Sequence, residues 1–321
     1  MAVSRPFASS ADTTPKQQTV EVLGDGIYAL TAEGDPNVAA IEGDDFVVCI
    51  EATATPHTAR RWLETLRRHT DKPVRYLVLT HYHAVRTLGA EAFGTDKIIA
   101  HEKTAALINE RGEADRLSEQ ARMPRLFERP ETIRGLTHPT MTFSERMTIQ
   151  LGQGRGEVVL AYCGKGHTEG DLVVWLPRHR ILFTGDLVES QAALYTGDAF
   201  HREWATSTLD TVAGFGADVL VGGRGAVAHG GAAVAASIEQ TRRFLTTTIE
   251  RTTTVHKAGG SLKDAFAAVH RALAPTYGGW PIFDHCLPFN VSRLWDELSG
   301  VARPRIWTPE RDREIWEELQ G

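Results

Sequence analysis

The run from Val74 to Thr80, VRYLVLT, limits the fold more than any other stretch of the chain. It reads as a strand buried on both faces, and such a strand needs a layer of structure on either side. Upstream, short apolar runs separated by turn signals fill residues 18–50 and predict a meander of antiparallel strands. Thr55 and Pro56 then open a helix as N-cap and first helical residue, with Ala59, Trp62, Leu63 and Leu66 on one face. A short helix around residues 87–93 and the strand KIIAH follow. Residues 101–135 are charged and helical in pattern, broken at Pro124 and Pro130, and are expected to cover a site.

The second half repeats the style. Strands are expected at 141–151 and 157–162, then in DLVVWLP, RILFTGD and ADVLVGG, with a helix near 202–214 after the fourth. Residues 231–257 predict one long amphipathic helix carrying Ile238, Leu245 and Ile249 on one face. The tail reads as a loop over 277–290 and helices near 290–298 and 309–319. Strands followed by helices in each half predict two packed sheets with helices outside, and the irregular alternation argues against a TIM barrel.

Composition narrows the function classes. A chain of 321 residues with 42% hydrophobic and 24% charged residues is globular, which excludes disorder and coiled coil. The net charge of −6 offers no basic field for nucleic acid. Cys49, Cys163 and Cys286 are an odd number at wide spacing, neither a disulfide framework nor a metal knuckle. Cys49 and Cys163 read as small buried hydrophobes. No run of 18 apolar residues occurs, and the first residues have no apolar export segment. The expectation is a soluble cytoplasmic protein acting on a small molecule, with no membrane or nucleic-acid partner and with homo-oligomerisation left open. Residues 1–17 read as a flexible lead-in.

The chemistry concentrates at strand ends. His81 and His83 leave the buried strand in extended form, so both imidazoles aim at one point. His167 sits on the glycine-rich turn CGKGHTEGD, and Asp186 ends LFTGD. Three imidazoles and a carboxylate form a zinc-type set, and the same nitrogen and oxygen donors suit iron or manganese.

Strand–THYH, GHTEGD, LFTGD and VLVGGRGAV, in that order, resemble the metallo-β-lactamase superfamily over residues 18–257. The resemblance implies a four-layer αββα sandwich with a metal site at one edge of the sheets, leaving 258–321 as a helical C-terminal extension. It also implies that His81, His83 and His167 hold a metal and that Asp186 is the bridging carboxylate. The family's first motif is usually H-x-H-x-D-H, with ligands for two metals. Here Val85 stands for the aspartate and Arg86 for the histidine, and Arg224 takes the place of the last ligand histidine. The second site has lost its private ligands, so one divalent ion is expected, zinc first, with iron or manganese as alternatives.

An aspartate without its second cation needs another positive partner. Arg86 and Arg224 are therefore expected to pair with Asp186 or to fork an anionic substrate group. Asp186, Arg86 and Arg224 form the expected catalytic set. Around it stand Glu51 at a strand end, Asp171 as a brace for the His167 turn, and Glu189 and Tyr195 on the loop after Asp186. His285, in an aromatic-rich loop with Asp284 and Cys286, either closes over the pocket or, as the first expectation, packs the C-terminal extension. The expected activity is metal-dependent hydrolysis of an ester, thioester, lactone or amide of an anionic small molecule. Its alternatives are a mononuclear iron oxygenase acting on a sulfur substrate and a metal-free anion-binding protein.

Overall fold

Thirteen strands form two sheets in the computed structural model, which describes residues 6–320. The first sheet runs in chain order through β1 (Gln18–Gly24), β2 (Ile27–Ala32), β3 (Val38–Glu42), β4 (Val47–Ile50), β5 (Val74–Val78), β6 (Ile98–His101) and β7 (Met141–Phe143). Its first four strands are antiparallel neighbours, and β4 to β7 pair in parallel. The second sheet holds β8 (Arg146–Gly152), β9 (Gly156–Tyr162), β10 (Leu172–Leu176), β11 (Ile181–Gly185), β12 (Val219–Gly222) and β13 (Ala228–His229). Its order is β13-β12-β11-β10-β9-β8, antiparallel except for the pair β11 and β12.

The period-two alternation of strand side chains explains the layers. Val48, Ile50 and Val78 point inward and meet Val158, Leu160, Val174 and Phe183 of the other sheet. Val47, Cys49, Leu77 and Leu79 point outward and are covered by α1 (Pro56–Leu66) through Ala59, Trp62 and Leu66. That helix starts with a capping box: Thr55 Oγ1 accepts from Thr58 N at 3.1 Å, and Thr55 N donates to Thr58 Oγ1 at 3.2 Å. Next come α2 (Ala84–Thr87), α3 (Glu102–Arg122), α4 (His201–Glu203) and α5 (Leu209–Gly214), the last two joined by a π-helical turn. Outside the second sheet lie α5, α6 (Gly231–Lys257), α7 (Leu262–Tyr277) and α8 (Phe283–Leu298), and α9 (Pro309–Gln320) ends the chain. The expected αββα sandwich with a helical C-terminal region is the observed architecture.

Four local expectations change. Residues 141–151 form two strands, because the chain crosses between sheets at Ser144 and Glu145. The expected loop over 277–290 ends early: α8 starts at Phe283, so Asp284, His285 and Cys286 are helical. Ile282, at φ 59°, makes the sharp entry into it. Helix α7, absent from the sequence reading, opens with a Ser261–Asp264 capping box. Residues 1–5 lie outside the described residues. From Phe7 the expected loose lead-in is packed: its ring is buried, 5.4 Å edge-on from Trp316, ahead of a 3-10 turn over Ala8–Ala11.

Among the described residues no helix is long and apolar enough to cross a membrane, and all three cysteines are buried and unpaired. Val269 and Leu273 of α7 and Leu287 and Val291 of α8 share one core with the second sheet. Leu273→Ala should therefore cost about 2–5 kcal/mol in denaturant unfolding, as for a central core leucine. The loss should appear in a single transition. A separate early transition for the C-terminal helices would show instead that they fold as an independent layer.

Candidate metal centre

The C-terminal ends of β4, β5, β9, β11 and β12 meet on one rim of the sandwich and deliver Glu51, His81 and His83, His167, Asp186 and Arg224. One ligand nitrogen from each of His81, His83 and His167 lies within 4.8 Å of the other two, and all three side chains are buried. His167 Nε2 sits 3.0 Å from His83 Nδ1, while Asp186 Oδ2 stands 3.8 Å from His81 Nε2 and 3.6 Å from His167 Nε2.

Each imidazole is fixed from behind. Thr80 donates its hydroxyl to Glu51 Oε1 and takes the Nδ1–H of His81 at 3.0 Å. Asp198 Oδ2 takes the Nε2–H of His83 at 3.2 Å, and the carbonyl of Tyr195 takes the Nδ1–H of His167 at 2.9 Å. These tautomers, assigned from the hydrogen-bond network, leave three nitrogen lone pairs converging on one buried point. His81 Nε2 has no hydrogen-bond partner at all. Converging lone pairs repel unless a cation sits among them, so the donor set fits a divalent ion with imidazole and carboxylate preference.

The electrostatics favour neutral imidazoles at two of the three positions. Burial holds His81 well below the usual histidine range and His167 down to about 3, against the pull of Asp186. Burial also opposes a proton on His83, but Asp115, Asp198 and Glu119 surround it and raise it to about 9. A proton there is the natural competitor of an ion.

Arg86 fills the space beside this point and is completely buried. Its Nη2 pairs with Asp186 Oδ1 and donates to Gly223 O at 2.8 Å, and its Nη1 donates to Asn37 O at 3.2 Å. Burial opposes ionisation of Asp186, yet Arg86 first, then His81, His167 and Arg224, hold it far below the carboxylate range. Gly223 is required for this approach, since a Cβ there would collide with Asp186 Oδ1 and crowd Arg86 Nη2. Arg86 is thus committed to protein groups and is no fork for substrate.

Arg224 departs from the expectation of a second pairing with Asp186. Its Nη1 donates to Gly34 O at 3.0 Å, and its nearest carboxylate is Glu189, 3.7 Å from Nε. Burial raises Glu189 well above its usual range, with Asp186 adding to the effect.

Asp171 braces the turn rather than the imidazole. It accepts from Thr168 N at 2.7 Å and Thr168 Oγ1 at 2.8 Å. Tyr195 contributes its backbone carbonyl to His167 and lays its ring 5.5 Å edge-on from that of His83. His285 is buried on α8 and touches none of the three imidazoles through a hydrogen bond.

Several contributors escape a motif-based reading. Helix α3 buries a polar stripe, Arg111, Asp115, Ser118, Glu119 and Arg122, where an ordinary amphipathic helix buries apolar side chains. Asp115 accepts from Ala84 N at 2.7 Å and Glu119 from Val85 N at 2.9 Å, which pins the turn after His83. Arg111 reaches Asp198 Oδ1 at 3.5 Å. The signal was present in the sequence as charged residues three and four apart on one helical face. Thr80 and Asp198 carried no signal beyond closeness in sequence to ligands.

A family model described as the metallo-beta-lactamase superfamily matches residues 31–224. A metallo-beta-lactamase type 2 from Bacillus cereus is 28% identical over 253 residues, 70% of this chain and 89% of its own length. The 2,4-dinitroanisole O-demethylase subunit alpha from Nocardioides sp. (strain JS1661) is 29% identical over 183 residues, 56% of this chain and 47% of its own. Among solved structures, a metallo-beta-lactamase from Pontibacter korlensis matches with a TM-score of 0.55 at 20% identity, over 70% of this chain and 99% of that one. The inverting sec-alkylsulfatase Pisa1 from Pseudomonas sp. matches with a TM-score of 0.65 at 16% identity, over 88% of this chain and 50% of that one. At such identities the structural likenesses speak for the fold.

Two measurements test the electrostatics. Arg86→Leu leaves Asp186 buried without its cation and should cost about 3–5 kcal/mol in denaturant unfolding. A loss below about 1 kcal/mol would place the pair among weak exposed ones. Asp171 is raised to about 7, burial outweighing its bonds from Thr168. The unfolded carboxyl releases its proton at about pH 4, so between there and about pH 7 the folded chain holds a proton that the unfolded chain has lost. The contribution of Asp171 to stability therefore falls as pH rises through that window. The stability difference between wild type and Asp171→Asn should shift in favour of the variant from pH 5 to pH 8; an unchanged difference would mean that Asp171 is ionised throughout.

Proposed function

The chain belongs to the metallo-β-lactamase superfamily, and from that premise we propose that it is a hydrolase working with a single divalent ion. The observation that carries the reading is the Arg86 guanidinium beside Asp186, a fixed positive charge on the carboxylate that the family shares between two metals. Zinc suits the donor set of His81, His83, His167 and Asp186, with iron or manganese as the alternatives. Bound there, the ion would supply an acidified water and a Lewis acid for a carbonyl.

The chain's own residues do the rest. Asp186, kept ionised by Arg86, accepts a hydrogen bond and orients its donor instead of taking up the proton. Thr80 with Glu51, Asp198, and the Tyr195 carbonyl hold the imidazoles in the ligating tautomer. Burial of all four ligand side chains keeps bulk water away from the centre. The substrate is an ester, thioester, lactone or amide of an anionic small molecule. One sequence relative is named a lactamase and another an O-demethylase, so the walls of the site, more than the family, select the bond. Net charge of −6 and three unpaired buried cysteines support a cytoplasmic enzyme of small molecules, not of nucleic acid.

Elemental analysis of protein purified without added metal or chelator should find about one zinc per chain, and the protein should hydrolyse simple esters. His81→Ala and His167→Ala should lose the ion and more than the roughly 10–100-fold in activity that an outer partner supplies. Asp198→Asn should keep the ion but weaken it by about 10–100-fold in competition with a chelator. Two ions per chain would overturn the mononuclear reading. One iron with oxygen uptake would favour the oxygenase, and no ion after reconstitution would leave a metal-free anion-binding protein.

A further inference from the structure

Residues 194–200, between β11 and α4, carry two of the groups that orient the imidazoles. The Tyr195 carbonyl accepts from His167 Nδ1 at 2.9 Å, and Asp198 Oδ2 accepts from His83 Nε2 at 3.2 Å. This segment is neither helix nor strand, so no backbone ladder fixes its peptides. Side chains from the C-terminal region do so instead.

Asn290 of α8 is completely buried, and its amide spans both peptides of Tyr195. Oδ1 accepts from Thr196 N at 2.6 Å, and Nδ2 donates to Leu194 O at 2.8 Å. Thr196 N and the Tyr195 carbonyl belong to one planar trans peptide, so the N–H and the C=O point in opposite directions. With the N–H held toward Asn290, the carbonyl oxygen is turned to the other side, where His167 Nδ1 meets it.

Arg293 and Glu297 continue the same face of α8, one and two turns on. Arg293 Nε donates to Ala199 O at 2.9 Å, and Glu297 Oε1 accepts from His201 N at 3.2 Å. Beyond the helix, Trp307 Nε1 donates to Gly197 O at 2.9 Å, next to Asp198. A Cβ on Gly197 would strike Tyr195 Oη and crowd Trp307 Nε1. Arg111 Nη1 joins Asp198 to the same tail, 3.5 Å from Asp198 Oδ1 and donating to Pro304 O at 3.2 Å.

Asn290, Arg293, Glu297 and Trp307 all lie beyond residue 224, where the family-model match ends. We propose that Asn290 is a positioning residue of the metal centre, and that with Trp307 it makes the C-terminal region a working part of that centre by aiming the partners of His167 and His83. The proposal rests on the metal-binding reading and not on hydrolysis.

Zinc affinity is measured on the full chain by competition with a chromogenic chelator. The imidazole N–H protons are followed by NMR of the metal-free chain labelled with 15N-histidine. Asn290→Ala should bind zinc about tenfold more weakly, the lower end of the range for groups behind a ligand. It should also speed solvent exchange of the His167 Nδ1–H. Asn290→Asp, which keeps an acceptor for Thr196 N, should recover most of the affinity. Trp307→Phe keeps a ring and loses the N–H to Gly197 O; it should weaken zinc as well, and it guards against an alanine variant that fails to fold. Leu273→Ala, destabilised in the same core but with no polar group to offer this segment, should bind zinc as wild type does.

Wild-type zinc affinity in a folded Asn290→Ala chain, or an equal loss in Leu273→Ala, would overturn the proposal. A wild type that binds no zinc would sink the metal-binding reading itself. The N–H exchange then decides the positioning role, and an unchanged rate in Asn290→Ala would overturn that too.

Discussion

A buried carboxylate such as Asp186 needs positive charge beside it, and the tethered guanidinium of Arg86 supplies it here. An ion taken from solution can be lost to a chelator or displaced by protons, whereas a guanidinium stays charged at every accessible pH. Asp186 thus has a positive partner within the chain itself. The surroundings serve that pair. Gly223 has no side chain to separate it, and the carbonyls of Asn37 and Gly223 accept from Arg86 Nη1 and Nη2. Asn37 also anchors the turn, with its backbone N–H bonded to Gly223 O at 2.8 Å and its side chain to Gly222 O at 3.0 Å.

The same exchange separates two tasks at the rim. Three lone pairs remain to bind one ion, while the place next to them becomes a rigid wall of protein. Each imidazole has its own orienting partner: Thr80 beside His81 after β5 for that ring, and Asp198 and the Tyr195 carbonyl on the segment beyond β11 for His83 and His167. Helix α3 adds a second tier by capping the backbone after His83 with Asp115 and Glu119. Buried carboxylates there are expensive to ionise, and Asp115 is raised well above its usual range by burial and by Glu119. A polar stripe of that kind persists only where its partners are met in place.

What was legible in the sequence follows from range. The β5 run, the period-two alternation around it and the strand-end histidines are local signals, and the two sheets with helices outside follow from them. The ordered motifs located the three-histidine cluster for the same reason: each sits within a few residues of the strand that delivers it. The contents of α3 were legible as helix but not as buried helix, because charged residues on one face ordinarily mean solvent. Only the tertiary position, beneath the turn after His83, reverses that expectation. His285 was misplaced on a loop because Pro288 and the preceding Gly278 and Gly279 are turn signals. In the fold the helix starts at Phe283 and carries Pro288 inside its second turn.

Closure of the rim is the remaining consequence. Phe7 from the N-terminal segment, Phe289 from α8, and Trp307 and Trp316 from the C-terminal end form one aromatic cluster over the Tyr195 side of the centre, with Tyr195 packed against it. These residues are far apart in sequence, so no local pattern announces the cluster. Its effect is to bring Arg122, part of no ligand motif, within one ring of the imidazoles, with Tyr195 between Arg122 and His83. The sandwich fixes where the three imidazoles converge, and the aromatic cluster fixes which polar groups lie beyond Tyr195. The strand ends therefore place the imidazoles, and the insertion and the tail supply the buried groups around them.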